Sequence, residues 1–432
     1  MQSCINLFVV LFEELTEVHN LDKMSTADAD VACSMVLIFA FVWSTGANLQ
    51  DNPKDNSRLR FSQHIKGKIL KFFNGFPYEG EVYDYYIDFQ KKEFHPWTEL
   101  VKDFKYLEGM PYFSILVPTA DTVKFKYVLE KLLQGRNNCL ISGETGVGKS
   151  VIIGEFVSTL NTEFYSYTSF NFSAQTSTKN ILDVFMDKDK FTKKRRNEMG
   201  PIGNKKMVMF VDDINMPALE KFGAQPPNEL LRQIIDQGGF YDLKKFMFME
   251  VSDCVFVAAC APPGGGRNAV SPRLFRHFNM VWTPDLSIRS METIFTSILK
   301  GFLSYTKGLE KFAPSIVKSS VDIYTKIRTE LLPTPTKSHY TFNLRDLSKV
   351  FQGILEIKYE NLPGKEILVS LWVHEASRIF YDRLVDEKDR EWFLTLIQGY
   401  VKNNFEFEWD NRHIKEILFG DYSNMQKEYQ RI

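Results

Sequence analysis

The run Gly143-Glu144-Thr145-Gly146-Val147-Gly148-Lys149-Ser150 satisfies the pattern G-x-x-x-x-G-K-[ST] in full, and it constrains the fold more than any other stretch of the chain. Such a loop needs a strand before it and a helix after it. Cys139-Leu140-Ile141 reads as a short buried strand, and Val151, Ile153, Phe156, Val157 and Leu160 give one apolar side of a helix. A chance glycine-serine loop would lack those flanks.

The glycines let the backbone curl with its N–H groups inward, so that Gly143 to Ser150 present a ring of donors to phosphates at the positive end of the next helix. Lys149 is placed to reach β- and γ-phosphates, and Ser150 to serve as a ligand of Mg²⁺. Met207 to Val211 is a continuous apolar run that ends in Asp212-Asp213. Asp212 stands where a second group is needed to hold the Mg²⁺ shell beside Ser150. Asp213 is placed to orient or deprotonate water, although an Asp reaches about one methylene less far than a Glu. The next apolar run, Cys254 to Cys260, closes on Ala261, which has no polar side-chain group with which to position that water. Arg273 and Arg276 follow a glycine-rich turn and can stabilise phosphate charge in this site or in a neighbour's, the alternative being two surface arginines. Arg345, in the first turn of a later helix, is a weaker candidate by residue type alone.

Composition excludes some partners. Lys plus Arg number 53 against 54 acidic residues, so no overall field recruits nucleic acid or an anionic membrane. Five cysteines without C-x-x-C spacing read as reduced thiols, and seven scattered histidines show no metal-ligand spacing. Val31 to Trp43 is strongly apolar, but at about 13 residues against the roughly 20 of a bilayer span it reads as a buried helix. Ile5 to Phe12 has no basic leader and meets Glu13-Glu14, which argues against a secretory signal.

Along the chain, residues 1 to about 75 read as helical, with a loop from Gly46 to Asn56. Aromatic and charged residues mixed from Gly75 to Pro111 suit short strands and turns, and a boundary falls near 110. Asp121 to Leu133 carries Phe125, Val128, Leu129, Leu132 and Leu133 at helical spacing, with Gly135 as its stop. Asp187 to Lys206, with Lys193-Lys194-Arg195-Arg196 at its middle, reads as a solvated loop rather than a nucleic-acid patch. Asn228 to Asp236 is a helix between the two apolar strands. The alternation from 138 to 282 predicts an α/β unit with a parallel sheet covered on both faces. Beyond about 288 only helices are expected, including one capped by Asn343 whose Leu344, Leu347, Phe351, Ile354 and Leu355 face one way.

The strings Phe210-Val211-Asp212-Asp213-Ile214-Asn215-Met216-Pro217, Phe222-Gly223-Ala224-Gln225-Pro226-Pro227 and Pro262-Pro263-Gly264-Gly265-Gly266-Arg267-Asn268 resemble an axonemal dynein heavy chain, most closely the third AAA+ module of its motor ring. The resemblance implies a P-loop NTPase of AAA+ type. Residues 111–300 would be its α/β nucleotide-binding part and 301–432 its helical lid and exit toward the next module, while 1–110 would be the mostly helical end of the preceding module. It further implies that Gly143 to Ser150 are the Walker A loop, Asp212-Asp213 the Walker B pair, Ala261 the first sensor position and Arg345 the second, with Arg273 or Arg276 the arginine finger. Many AAA+ ATPases carry Glu at the position of Asp213 and Asn at that of Ala261. These departures bear on water attack more than on nucleotide affinity, so hydrolysis is expected to be slow, conditional or absent. The implied cofactors are ATP or ADP and Mg²⁺. The implied partners are neighbouring ring modules and other dynein subunits, with microtubules reached only through a full-length heavy chain, and the implied location is the cytoskeleton of the cytoplasm and the axoneme of a cilium or flagellum. The chain resembles no first module, stalk or microtubule-binding tip, so it is expected to be a fragment or short product of a heavy chain and no motor alone.

Overall fold

A computed structural model describes residues 2–19, 24–51, 56–243, 245–306, 308–422 and 428–432. Two compact units are present, one of residues 1–101 with 120–285 and one of 102–119 with 286–432.

The first unit opens with three helices, α1 (Gln2–Val18), α2 (Thr26–Phe41) and α3 (Ser57–Phe72), and a hairpin of β1 (Tyr85–Asp88) and β2 (Glu93–Pro96). Ser25 caps α2 by accepting from the Asp28 N–H. This helix runs on through a wider turn at Val42–Gly46, so the apolar helix is longer than the 31–43 run suggests. At 21 residues, Thr26–Gly46 is long and apolar enough to cross a membrane by length and composition. Its Met35, Val36, Phe39, Val42 and Trp43 are buried in one core with Trp97 and Phe125, which is the packing of a core helix.

The remainder of this unit is α/β. In order it comprises α4 (Ala120–Gln134), β3 (Cys139–Ser142), α5 (Lys149–Ser158), β4 (Tyr165–Asn171), α6 (Thr178–Phe185), β5 (Phe191–Arg195), β6 (Glu198–Pro201), β7 (Lys206–Asp212), α7 (Pro226–Gln237), β8 (Gly239–Asp242), β9 (Met247–Val251), β10 (Cys254–Cys260), α8 (Pro272–Phe275) and β11 (Asn279–Trp282). The main sheet has the order β11-β3-β10-β7-β4, and every pairing in it is parallel. Alternate residues serve opposite cores, as the period of two requires. Cys139, Ile141, Val208, Phe210, Val255 and Val257 join Phe125, Leu129 and Phe156 on one face. Leu140, Met207, Met209, Val211, Phe256 and Ala258 join Phe185, Leu231 and Ile234 on the other. The parallel sheet expected from the strand-helix alternation is present, with helices on both faces.

The expected loop at 187–206 is instead a hairpin. Strands β5 and β6 pair antiparallel with a bulge between Lys193 and Arg195, and they belong to a second sheet of order β5-β6-β9-β8. Phe191 anchors β5 in the core, while Lys194 bonds Asp253 at 2.7 Å and Arg195 lies 3.5 Å from Glu198. With one apolar anchor on a charged strand, no alternation was there to read.

In the second unit α9 (Ile288–Leu303), α10 (Ala313–Glu330), α11 (Leu344–Leu355), α12 (Lys365–Ile379), α13 (Glu387–Phe405) and α14 (Asn411–Glu416) pack around one core. Phe295 and Phe351 stack at 4.4 Å, and the indole of Trp372 donates to Ser320 at 2.8 Å. The expectation of helices only needs a small correction, since β12 (Phe419–Gly420) pairs with β13 (Gln430–Arg431). These pairs are too short to leave a periodic signal.

Candidate functional site

Strand β3 lies inside the main sheet with all four residues buried, and the glycine loop leaves its C-terminal end. A Cβ at Gly143 would lie 2.6 Å from the Thr283 carbonyl oxygen, so only glycine fits there. Gly146 and Gly148 both have φ of 87°, and Gly148 turns the chain directly into α5. The helix therefore starts at Lys149, with its first N–H groups facing the loop. The Lys149 ammonium donates to the carbonyl oxygens of Gly143 (2.9 Å) and Glu144 (2.7 Å), which holds it across the mouth of the loop. Burial pushes this amine below its ordinary pKa, and the carboxylates of Asp213 and Asp212 oppose that shift.

Ser150 and Asp212 are 62 residues apart in sequence, yet the Ser150 hydroxyl donates to Asp212 Oδ2 at 2.8 Å. The parallel register explains the meeting, because β7 and the loop strand β3 flank β10 and all three end on the same side. Asp212 Oδ1 accepts from the Asp213 N–H at 3.0 Å. Asp213 itself has a left-handed backbone, φ 50°, and its Oδ1 lies 3.6 Å from Arg267 Nη2. Among the described residues no group of three or more His, Cys, Asp or Glu could hold a metal ion. A hydroxyl and one carboxylate beside the glycine loop suit Mg²⁺ that takes its other ligands from phosphate and water, so the donor set fits the cation.

Arg267 was not among the residues singled out from sequence. Gly264 and Arg267 close a tight turn by bonding each other's N–H and C=O, 3.0 Å each way, and all three glycines between β10 and Arg267 have positive φ. Three successive glycines in a loop after a buried strand are the signal that could have found it. Ala261 is buried, and its carbonyl accepts from Asn215 Nδ2 at 2.6 Å, while its methyl offers no hydrogen bond.

The arginines chosen from sequence behave differently from each other. Arg276 donates to both carboxylate oxygens of Asp236 at 3.3 and 3.2 Å. The exposed Arg273 has no side-chain partner among the described residues and lines a cavity of about 530 Å³ with Phe222, Gln225 and Asn228. Neither forms a hydrogen bond or ion pair with the glycine loop or the Asp212-Asp213 pair among the described residues. Arg345 belongs to the second unit, in the first turn of α11, where its N–H bonds the Asn343 side chain at 2.9 Å.

Comparison with known proteins decides the family. The description "P-loop containing dynein motor region" matches residues 104–286, "Dynein heavy chain, ATPase lid domain" matches 295–390, and "Dynein heavy chain AAA lid domain" matches 1–99. The chain belongs to the dynein heavy chain family. It is 40% identical over 411 residues to human dynein axonemal heavy chain 6, covering 93% of this chain and 10% of that protein. Mouse dynein axonemal heavy chain 1 is 38% identical over 421 residues, with 89% of this chain and 10% of the relative covered. Mouse dynein axonemal heavy chain 12 is 36% identical over 420 residues, with 90% and 13% covered. The chain thus spans about a tenth of the length of these dynein heavy chains. Its α/β part is the P-loop motor-region fold of the family, as the resemblance to an axonemal dynein heavy chain implied.

Proposed function

We propose that this chain is an ATP-binding AAA+ module of an axonemal dynein heavy chain, the third of the ring, with slow or conditional hydrolysis. In this reading 1–110 ends the preceding module, 111–300 is the nucleotide-binding part and 301–432 is the lid. The observation that carries it is the contact of Ser150 with Asp212 beside a Lys149 held over the glycine loop. Backbone N–H groups of Gly143 to Ser150 and the Lys149 ammonium would bind the phosphates of ATP or ADP, and Ser150 with Asp212 would hold Mg²⁺. Bound Mg²⁺ supplies charge neutralisation at the phosphates. Asp213 would orient water. Arg273, whose guanidinium has no partner among the described residues, is the better choice for a finger addressing a neighbouring module than Arg276, which is engaged by Asp236. Arg345 is assigned to nucleotide binding by resemblance alone. The module would bias its ring neighbours through contacts that differ between nucleotide states, and so regulate the microtubule motor of cilia and flagella in the axoneme.

Nucleotide affinity of the full chain, with and without Lys149→Ala, tests this reading. The variant should bind at least about tenfold more weakly, as expected for a lost charged hydrogen bond. Equal affinities would sink the proposal.

A second reading, a ring segment that holds nucleotide without turning it over and works through protein contacts, is favoured by the methyl of Ala261 and by the engagement of Asp213 with Arg267. Single-turnover hydrolysis with Asp213→Asn as reference separates the two, since turnover no faster than the variant's selects the second.

A further inference from the structure

We propose that Arg267 tells a triphosphate from a diphosphate in this site, its guanidinium resting on Asp213 when no terminal phosphate is present and bonding that phosphate when one is. The inference rests on the nucleotide reading above.

Topology places the residue. Strand β10 lies between β3, which leads into the glycine loop, and β7, which ends at Asp212, so a turn leaving β10 emerges between the two halves of the site. The turn does not run away into solvent. Reciprocal bonds between Gly264 and Arg267 fold it back. Beyond it, the Asn268 N–H donates to the Asn215 carbonyl at 2.9 Å and Asn268 Nδ2 to the Pro217 carbonyl at 2.9 Å, which pins Arg267 to the segment just after Asp213. The Arg267 side chain is only 20% exposed.

Its bonding is incomplete. Nη2 lies 3.6 Å from Asp213 Oδ1, an ion pair longer than a hydrogen bond, and Nε is buried with no partner among the described residues. A planar fork with an unused buried donor, held near Lys149 and the acidic pair, suits a phosphate oxygen better than one carboxylate oxygen at that distance. The adjoining strand end at Ala261 has no polar side-chain group, so Arg267 supplies the donor that this position lacks. If it were only a counter-ion for Asp213, it would make no distinction between nucleotides.

The experiment measures dissociation constants of the 432-residue chain for Mg²⁺-ADP and for the Mg²⁺ complex of a β,γ-imido ATP analogue, in the unaltered protein, Arg267→Ala and Arg267→Lys. The analogue should bind Arg267→Ala about tenfold or more weakly, with ADP affinity changed less than about twofold, and Arg267→Lys should fall between. Retained ADP binding also reports an intact site. An unchanged ratio of analogue to ADP affinity in both variants, or an equal loss of both nucleotides in folded protein, overturns the proposal. If Arg267→Ala does not fold by circular dichroism, the same ratio in Arg267→Lys decides. An unaltered chain that binds neither nucleotide removes the underlying site reading, and this inference with it.

Discussion

Asp213 is short by a methylene relative to the Glu of many AAA+ ATPases, and the backbone beneath it offers a reason. At φ 50° the residue occupies the left-handed region, which Asp and Asn enter far more readily than longer side chains. The shorter carboxylate thus suits the left-handed turn it occupies. Ser150 illustrates the opposite situation, a residue with ordinary helical geometry whose value lies in its contact with Asp212. Ser150→Ala should reduce the gain in nucleotide affinity that Mg²⁺ provides by about tenfold, read as the ratio of dissociation constants in Mg²⁺ and in EDTA. An unchanged ratio would mean that the hydroxyl is no part of the cation site.

Helix α11 is an element whose start was legible in sequence and whose cost of disruption can be ranked. Asn343 accepts from the Arg345 N–H at 2.9 Å, and Asp346 Oδ2 accepts in return from the Asn343 N–H at 3.0 Å, a reciprocal capping box. Asp346 is also buried and bonds Arg383 at 2.7 and 3.2 Å. Asn343→Ala should cost about 1 kcal/mol. Asp346→Ala should cost more, about 3 kcal/mol, because it also strips Arg383 of its carboxylate. Urea unfolding of both variants checks the order, and equal midpoints would contradict it. The apolar face with Leu347, Phe351 and Ile354 buried was legible for the same reason as the cap, since both are local patterns. The hairpin of β5 and β6 was not, because its partners are distant in sequence: β6 pairs with β9, and Lys194 bonds Asp253, 59 residues away.

Across the whole chain, acid should destabilise both units through two half-buried histidines. Burial pushes His277 below its ordinary value of 6.5, with Asp236 opposing and Arg276 and Arg232 assisting the shift. His374 is lowered in the same way, against the opposing Glu375 and Asp382 and the backbone bond at Ile417 and with the assistance of Arg378. A base with a depressed pKa binds fewer protons folded than unfolded, so its stabilising contribution is complete above about 6.5 and is lost as pH falls from there through the folded pKa. Denaturation midpoints should therefore be lower at pH 5.5 than at pH 7.5 in roughly the range where histidine titrates, and a His277→Gln, His374→Gln double variant should flatten that dependence.

By itself the sequence determined the parts that local chemistry specifies. The glycine loop, the apolar strands at 207–211 and 254–260, the helix faces and the cap at Asn343 are all written within a few residues, where backbone freedom, periodicity and hydrogen-bonding groups act directly. The sequence already placed Asp212 beside Ser150 as an expectation, but only the tertiary structure decided that their side chains bond directly, that a charged stretch at 191–201 becomes a hairpin, and that Arg267 rather than a later arginine lies beside Asp213. Those outcomes depend on strand order and register in the sheet, which set side-chain distances that no local pattern in the sequence specifies.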